Sequence, residues 1–83
     1  MYTVVLVRKA KKQLTRLPKQ DQNRVNKSLV YLRHDPFAGK KLRGEYRNSY
    51  SLRVWPYRII YTIAKKKVTV VVLAIGHQQG VYR

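Results

Sequence analysis

Nineteen lysines and arginines stand against three acids, Asp21, Asp35 and Glu45, and leave this chain of 83 residues with a formal net charge of +16. A chain so unbalanced repels itself when it compacts, which points to a polyanionic or strongly acidic partner. Nucleic acid is the first candidate, an acidic membrane surface a poor second, and an acidic protein a third that does not exclude the first. The cations are spread along the whole length, so the folded surface itself must be basic. A hydrophobic fraction of 45% is nevertheless ordinary for a folded domain. At this size the chain has room for one core, and we expect one domain over residues 1–83. The absence of cysteine removes disulfides, thiol nucleophiles and cysteine-ligated zinc, and fits a reducing compartment. No apolar run approaches the ~20 residues of a membrane span. The expectation is a cytoplasmic protein that makes no use of a membrane.

The apolar residues are gathered at two periods. Tyr2 to Val7 is short and β-branched, a strand by type and length. In the basic segment that follows, Ala10, Leu14 and Leu17 form one helical stripe, which Pro18 stops. From Lys19 to His34 the stripe repeats at Val25, Leu29 and Leu32, so a helical hairpin is expected. His34 suits the C-terminal end of that helix dipole and not a site. Asp35-Pro36, Gly39 and Gly44 mark a loop that carries Lys40, Lys41, Arg43 and Arg47. Tyr50, Leu52 and Val54 then alternate with Ser51 and Arg53, Trp55-Pro56 punctuates, and Tyr57 to Ile63 alternates again. Lys65 to Lys67 turns the chain into Val68 to Ile75, apolar on both faces as a central strand is, and Gly76 is read as its end. The order β-α-α-β-β-β predicts an α+β domain, with the helical hairpin on one face of a four-stranded, mostly antiparallel sheet.

That alternation puts Ser51, Arg53 and Arg58 opposite the helices. A solvated strand face explains the pattern equally well. Two arginines near the middle of adjacent strands are nonetheless better suited than lysine to fork onto phosphate oxygens. Tyr46, Tyr50, Trp55, Tyr57 and Tyr61 supply rings on which bases could stack, with Tyr57 and Tyr61 assigned to the core. Three scattered carboxylates make neither an acidic pair nor a two-metal nuclease site. No phosphate-binding glycine loop is present. One reaction class suits Arg, Lys, Tyr and His without a metal or cofactor. It is transesterification of RNA, in which the substrate brings its own 2′-hydroxyl nucleophile and the protein stabilises charge on phosphorus and moves two protons.

The stretch KLRGEYRNSYSLRVWPYRIIY, followed by an apolar strand and IGHQQGVY, resembles the RelE/ParE toxin superfamily, and within it the RelE-like branch. The match covers residues 41 to 82. The resemblance implies the RelE-like fold and the toxin of a type II toxin–antitoxin pair. In that branch the toxin is an endoribonuclease, an mRNA interferase that acts on the ribosome and leaves a 2′,3′-cyclic phosphate. It implies contacts with mRNA and rRNA and a cognate antitoxin, with which the chain would form a hetero-oligomer. Carried over by motif, Arg58 contacts the scissile phosphate, Arg53 assists the transition state, and Tyr82 transfers a proton or stacks on a base. The loop cations Lys40, Lys41, Arg43 and Arg47, together with Arg83, would hold the strand. Ser51 falls where RelE has a lysine, and Gln78 where the family often has a catalytic arginine. That loss leaves open a slow enzyme, an altered mechanism in which His77 takes over acid–base work, or a gyrase poison of the ParE type. A histidine that merely ends a strand is an equally good account of His77.

Overall fold

Spacing of two and spacing of three to four sort the apolar residues onto strands and helices that close over one another in a computed structural model, which describes residues 1–80. The elements are β1 (Thr3–Leu6), α1 (Arg8–Thr15), α2 (Lys19–His34), β2 (Lys40–Lys41), β3 (Tyr50–Val54), β4 (Tyr57–Ala64) and β5 (Thr69–His77). The sheet runs β1-β5-β4-β3-β2, with β1 parallel to β5 and the other pairs antiparallel. Ala10 from α1 and Val25, Leu29 and Leu32 from α2 bury against Val54, Ile59, Tyr61, Val70, Val72 and Ile75. Each of the larger of these side chains contributes about 1.5–3 kcal/mol when removed from water. The hairpin therefore covers one face of the sheet and leaves the other open.

Polar side chains close what the sheet leaves bare. Since β1 pairs only as far as Val72, the outer edge of β5 is uncovered beyond it. Gln13 of α1 fills that gap, its Oε1 accepting the Ile75 N–H at 2.8 Å. Gln22 of α2 donates to the Leu17 carbonyl at 2.8 Å and to that of Thr15, an orphan acceptor at the end of α1, at 3.3 Å. Tyr61, fully buried, donates to the Pro36 carbonyl at 2.8 Å and accepts the Gly39 N–H at 2.9 Å. A Cβ on residue 39 would sit 2.6 Å from the Tyr61 hydroxyl, so only glycine lets the loop approach this closely.

Three features differ from the sequence expectation. The sheet has five strands where four were expected, because Lys40 and Lys41 pair with Ser51 and Tyr50. Two lysines carry no apolar pattern; the strand forms because Tyr61 pins residues 36–39 beside the edge of β3. β5 runs through Gly76 to His77, which pair with Arg58 and Tyr57, where Gly76 was read as the strand's end. Finally, Ile60 pairs with Ala74 but Tyr61 with Val72, so Leu73 is an extra residue that bulges β5. Among the described residues no helix is long and apolar enough to cross a membrane.

Val68 ends the Lys65–Lys67 turn with φ of 49°, a left-handed conformation that costs a β-branched residue about 1–2 kcal/mol. Val68→Asn should therefore raise the urea midpoint. Tyr61→Phe should lower it by the equivalent of about 1–3 kcal/mol, because it strands a buried N–H and carbonyl. Burial also holds the Tyr61 phenol above its ordinary value of 10.0. The unfolded chain then loses this proton first, so wild-type stability should fall as pH rises above 10.0. Urea titrations across that range should show a smaller fall in Tyr61→Phe.

Candidate nucleic-acid interface

The pairing register decides which side chains share the open face. Residues directly opposite on neighbouring strands point the same way. One row is Lys40, Ser51, Ile60 and Ala74; the next is Arg53, Arg58 and Gly76. Ile60 and Ala74 are buried there beneath Leu42, which folds the loop after β2 onto this face. The Leu42 N–H donates to the Ser49 carbonyl at 2.9 Å and fixes the crossing. Leu42 thereby holds a cleft of about 500 Å³ lined by Lys41, Leu42, Arg43, Gly44, Arg47 and Asn48. Gly44 turns the chain at φ of 69° with nothing crowding it, so its role is conformational.

Arg53 and Arg58 stand directly opposite each other. Like charges in that position destabilise a sheet, by a few tenths to about 1 kcal/mol. Ser51, almost completely buried, does not reach solvent; its Oγ accepts from Arg58 Nη1 at 3.0 Å and holds the guanidinium in place. Lys40 is across from Ser51, so that row carries a cation. Lys41 alternates to the other side of the same edge and is exposed.

The structure does not bring all the expected residues together. His77 shares its row with Tyr57 and Val54, on the helix-side face, and its ring lies 5.0 Å from that of Tyr57. It therefore faces away from the arginine pair, so the structure does not bring His77 together with Arg53 and Arg58. The cause is the continuation of β5 past Gly76, which fixes the parity of His77. Gln78 follows the end of β5 in a turn, where its N–H bonds to the Pro56 carbonyl at 3.0 Å. Tyr82 and Arg83 lie outside the described residues.

Of the five aromatics suggested as stacking surfaces, Tyr57 and Tyr61 are core, and Tyr50 is stacked on Tyr61 at 5.5 Å. Tyr46 is half-buried in the turn Gly44–Tyr46. Trp55 is 64% exposed, at the turn that joins the two arginine-bearing strands. That turn is tied to α2 by residues that the sequence reading left out. Tyr57 donates to Asp21 at 2.6 Å, Arg24 pairs with Asp21 at 3.4 Å, and Arg24 also donates to the Trp55 carbonyl. The hydrogen bond to Asp21, and then burial, raise the Tyr57 phenol above its ordinary range. Asp21 in a chain with only three acids was the available signal. Among the described residues, no three His, Asp or Glu side chains come together in a group able to hold a metal ion.

Residues 4–82 match the family model of the ParE toxin of the type II toxin–antitoxin system parDE. The chain belongs to the RelE/ParE toxin superfamily. It is 33% identical to toxin RelG of Mycobacterium tuberculosis, over 99% of this chain and 97% of that protein. The RelBE2 toxin–antitoxin complex of the same organism contains a chain with the same fold, at a TM-score of 0.87 and 33% identity, covering 93% of this chain and 98% of that one. Isolated RelE of E. coli matches at a TM-score of 0.80 and 27% identity, over 93% of this chain and 84% of that one. The superfamily member described here thus carries its arginine pair on a sheet face that helices leave open.

Replacing Arg53 by Gln removes the like-charge opposition. The thermal midpoint at low salt should rise by the equivalent of about 0.2–1 kcal/mol. The gain should fade as the screening length falls from about 30 Å at 0.01 M salt to about 3 Å at 1 M. Thermal melts of both proteins at the two salt concentrations give the comparison.

Proposed function

We propose that this toxin is a metal-free endoribonuclease that cuts mRNA on the ribosome. The observation that carries the reading is the cross-strand pair Arg53–Arg58 on the open face, with Arg58 fixed by Ser51 and a basic cleft beside it. Two guanidinium groups that destabilise each other in the free protein are relieved when a phosphate lies between them. In the reaction the substrate 2′-oxygen forms a bond to phosphorus and loses its proton. The bond from phosphorus to the 5′-oxygen breaks and that oxygen gains one, leaving a 2′,3′-cyclic phosphate and a 5′-hydroxyl. The guanidinium groups stabilise the added negative charge of the transition state. Tyr82 is the proposed proton carrier, and His77 is left out because it occupies the other face. Lys40, Lys41, Arg43, Arg47 and Arg83 would hold the strand and the rRNA around it through phosphate contacts. Gln78 replaces a charge with an amide and slows the reaction.

The same basic surface suits a cognate antitoxin, an acidic or acid-bearing segment, in a toxin–antitoxin hetero-oligomer within the cytoplasm. The M. tuberculosis relative noted above was crystallised in such a complex. A second reading, a gyrase-inhibiting toxin, is supported by the ParE description of the matching family model and by the uncharged Gln78.

The decisive experiment is a translation reaction with the purified protein, followed by mapping of mRNA ends and by a test of those ends for cyclic phosphate. Cuts should appear with the wild type and fall by about 10²–10³ with Arg58→Ala, the loss seen when one charge-stabilising donor is removed. Intact mRNA together with inhibited gyrase supercoiling would establish the second reading instead.

A further inference from the structure

We propose that the cavity between Lys41 and Lys65 is a backbone-phosphate subsite for the same RNA strand that Arg53 and Arg58 hold, so that the strand leaves the open face and crosses the β2 edge. The inference rests on the RNA-binding part of the reading above. It adds the path of the strand and a contact, Lys65, that the sequence marked only as part of a charged turn.

β3 starts at Tyr50, which pairs with Tyr61, but β4 runs on through Ala64. A cavity of about 230 Å³ opens where β3 has ended, lined by Lys41, Asn48, Tyr50, Thr62, Ile63 and Lys65. At about 30 Å³ of liquid per water molecule it has the room of roughly eight waters, enough for a phosphate with its ribose. It shares Lys41 and Asn48 with the cleft of about 500 Å³ already described. That cleft in turn shares Lys41, Leu42 and Arg43 with a further hollow that Lys40 also lines. Lys40 stands in the row of Ser51, on the arginine side, whereas Lys41 stands in the row of Tyr50 and Tyr61, on the helix side. The three hollows therefore adjoin one another around the β2 edge. A route that bends around a sheet edge suits a single strand, because a duplex is too stiff to follow it.

Cations line every stage of this route: Lys40, Lys41, Arg43, Arg47 and Lys65. Neither Asp35 nor Glu45 lines any of the three hollows, and among the described residues the one side-chain ion pair is that of Arg24 with Asp21. Two lysines around one cavity, with no carboxylate between them, raise its potential and favour an anion there. Lys65 is also held in position. Its ammonium lies 5.6 Å from the centroid of the Phe37 ring, a cation–π contact. Phe37 stands edge-on to Tyr50 at 6.0 Å, and Tyr50 is stacked on the buried Tyr61. The last cation of the route is thus tied through these rings to the core. Lys66, its exposed neighbour in the same turn, takes no part in the lining.

The seven residues of chain from Arg58 to Lys65 span about 23 Å at the rise of a strand. An RNA trimer covers one end of that span, and a nonamer covers both. The full-length protein would be titrated with labelled 2′-O-methyl oligouridine of each length, which lacks the attacking hydroxyl. Affinity would be read by anisotropy over a series of salt concentrations. For the nonamer, Lys65→Gln should weaken binding and lower the slope of log K against log salt by about 0.7, the share of one phosphate contact on a single strand. Lys65→Arg should restore that slope, and the trimer should show no change in either variant. Lys66→Gln removes the same charge from the same turn outside the cavity, and should keep the wild-type slope. A nonamer slope unchanged in Lys65→Gln would overturn the proposal. So would equal losses in Lys65→Gln and Lys66→Gln, since net charge alone would then account for them. Two equivalents of trimer, one of them lost in Lys65→Gln, would show a separate anion site and overturn the single path. No step requires cleavage. A loss confined to Lys65→Gln, without cuts in the translation reaction, would leave the subsite standing and remove the nuclease. Cuts together with an unchanged Lys65→Gln slope would do the reverse.

Discussion

A slip of one residue in the pairing of β4 would turn Arg58 and Thr62 into the helix-covered core and put Ile59 and Tyr61 on the open face. The two errors compound. Burying an unpaired guanidinium costs several kcal/mol, and exposing each large apolar side chain loses about 1.5–3 kcal/mol more. The same alternation thus builds the core on one side and the candidate site on the other, and neither can be moved alone. Tyr61 adds a polar lock, since its hydroxyl reaches the loop carbonyl of Pro36 and the N–H of Gly39 only when it faces the helices. That lock delivers β2, and with it Lys40, to the edge of β3. Register in β4 therefore sets the core, the fifth strand and the row of cations together.

Charge works against this arrangement throughout. With +16 on a small domain, most of the repulsion is long-range and screened by salt, but the Arg53–Arg58 opposition is local and built into the sheet. The chain places one of its three acids, Asp21, where it ties α2 to Tyr57 and Arg24 and does not reach the arginine pair. The open face is left electrostatically unsatisfied. A ligand that binds the folded chain and not the unfolded one stabilises it in proportion to its affinity, so a polyanion on this face would contribute to the fold as well as to function.

Much of this was legible in the chain. The period of Val25, Leu29 and Leu32 gave the second helix, and the alternation from Tyr50 to Ile63 separated Arg53 and Arg58 from the core residues between them. What escaped was whatever depends on contacts distant in sequence. Lys40–Lys41 carries no strand pattern and becomes one only beside β3. The bulge at Leu73 arises from two pairings that do not share a step. The end of β5 was misread for a related reason: Gly76 looks like a terminator, yet in the structure it is a paired strand residue across from Arg58. The hydrogen bond from Arg58 to Ser51 was likewise invisible, although the two residues had already been assigned to one face.

The helical hairpin sits on the far side of the sheet, but it is not a passive cover. Through Asp21 and Arg24, α2 grips both the first residue of β4 and the carbonyl of Trp55. This is the turn that sets the spacing between Arg53 and Arg58, and its other carbonyl, that of Pro56, holds Gln78. A two-residue turn on its own would allow the strand ends to splay, and charged side chains that repel would drive them apart. Anchoring the turn to a helix that is itself locked into the core by Val25, Leu29 and Leu32 transfers the rigidity of the core to the tip of the sheet. The arginine pair can then remain close before any ligand arrives, and the ordering cost of bringing two like charges together is met by folding instead of by binding.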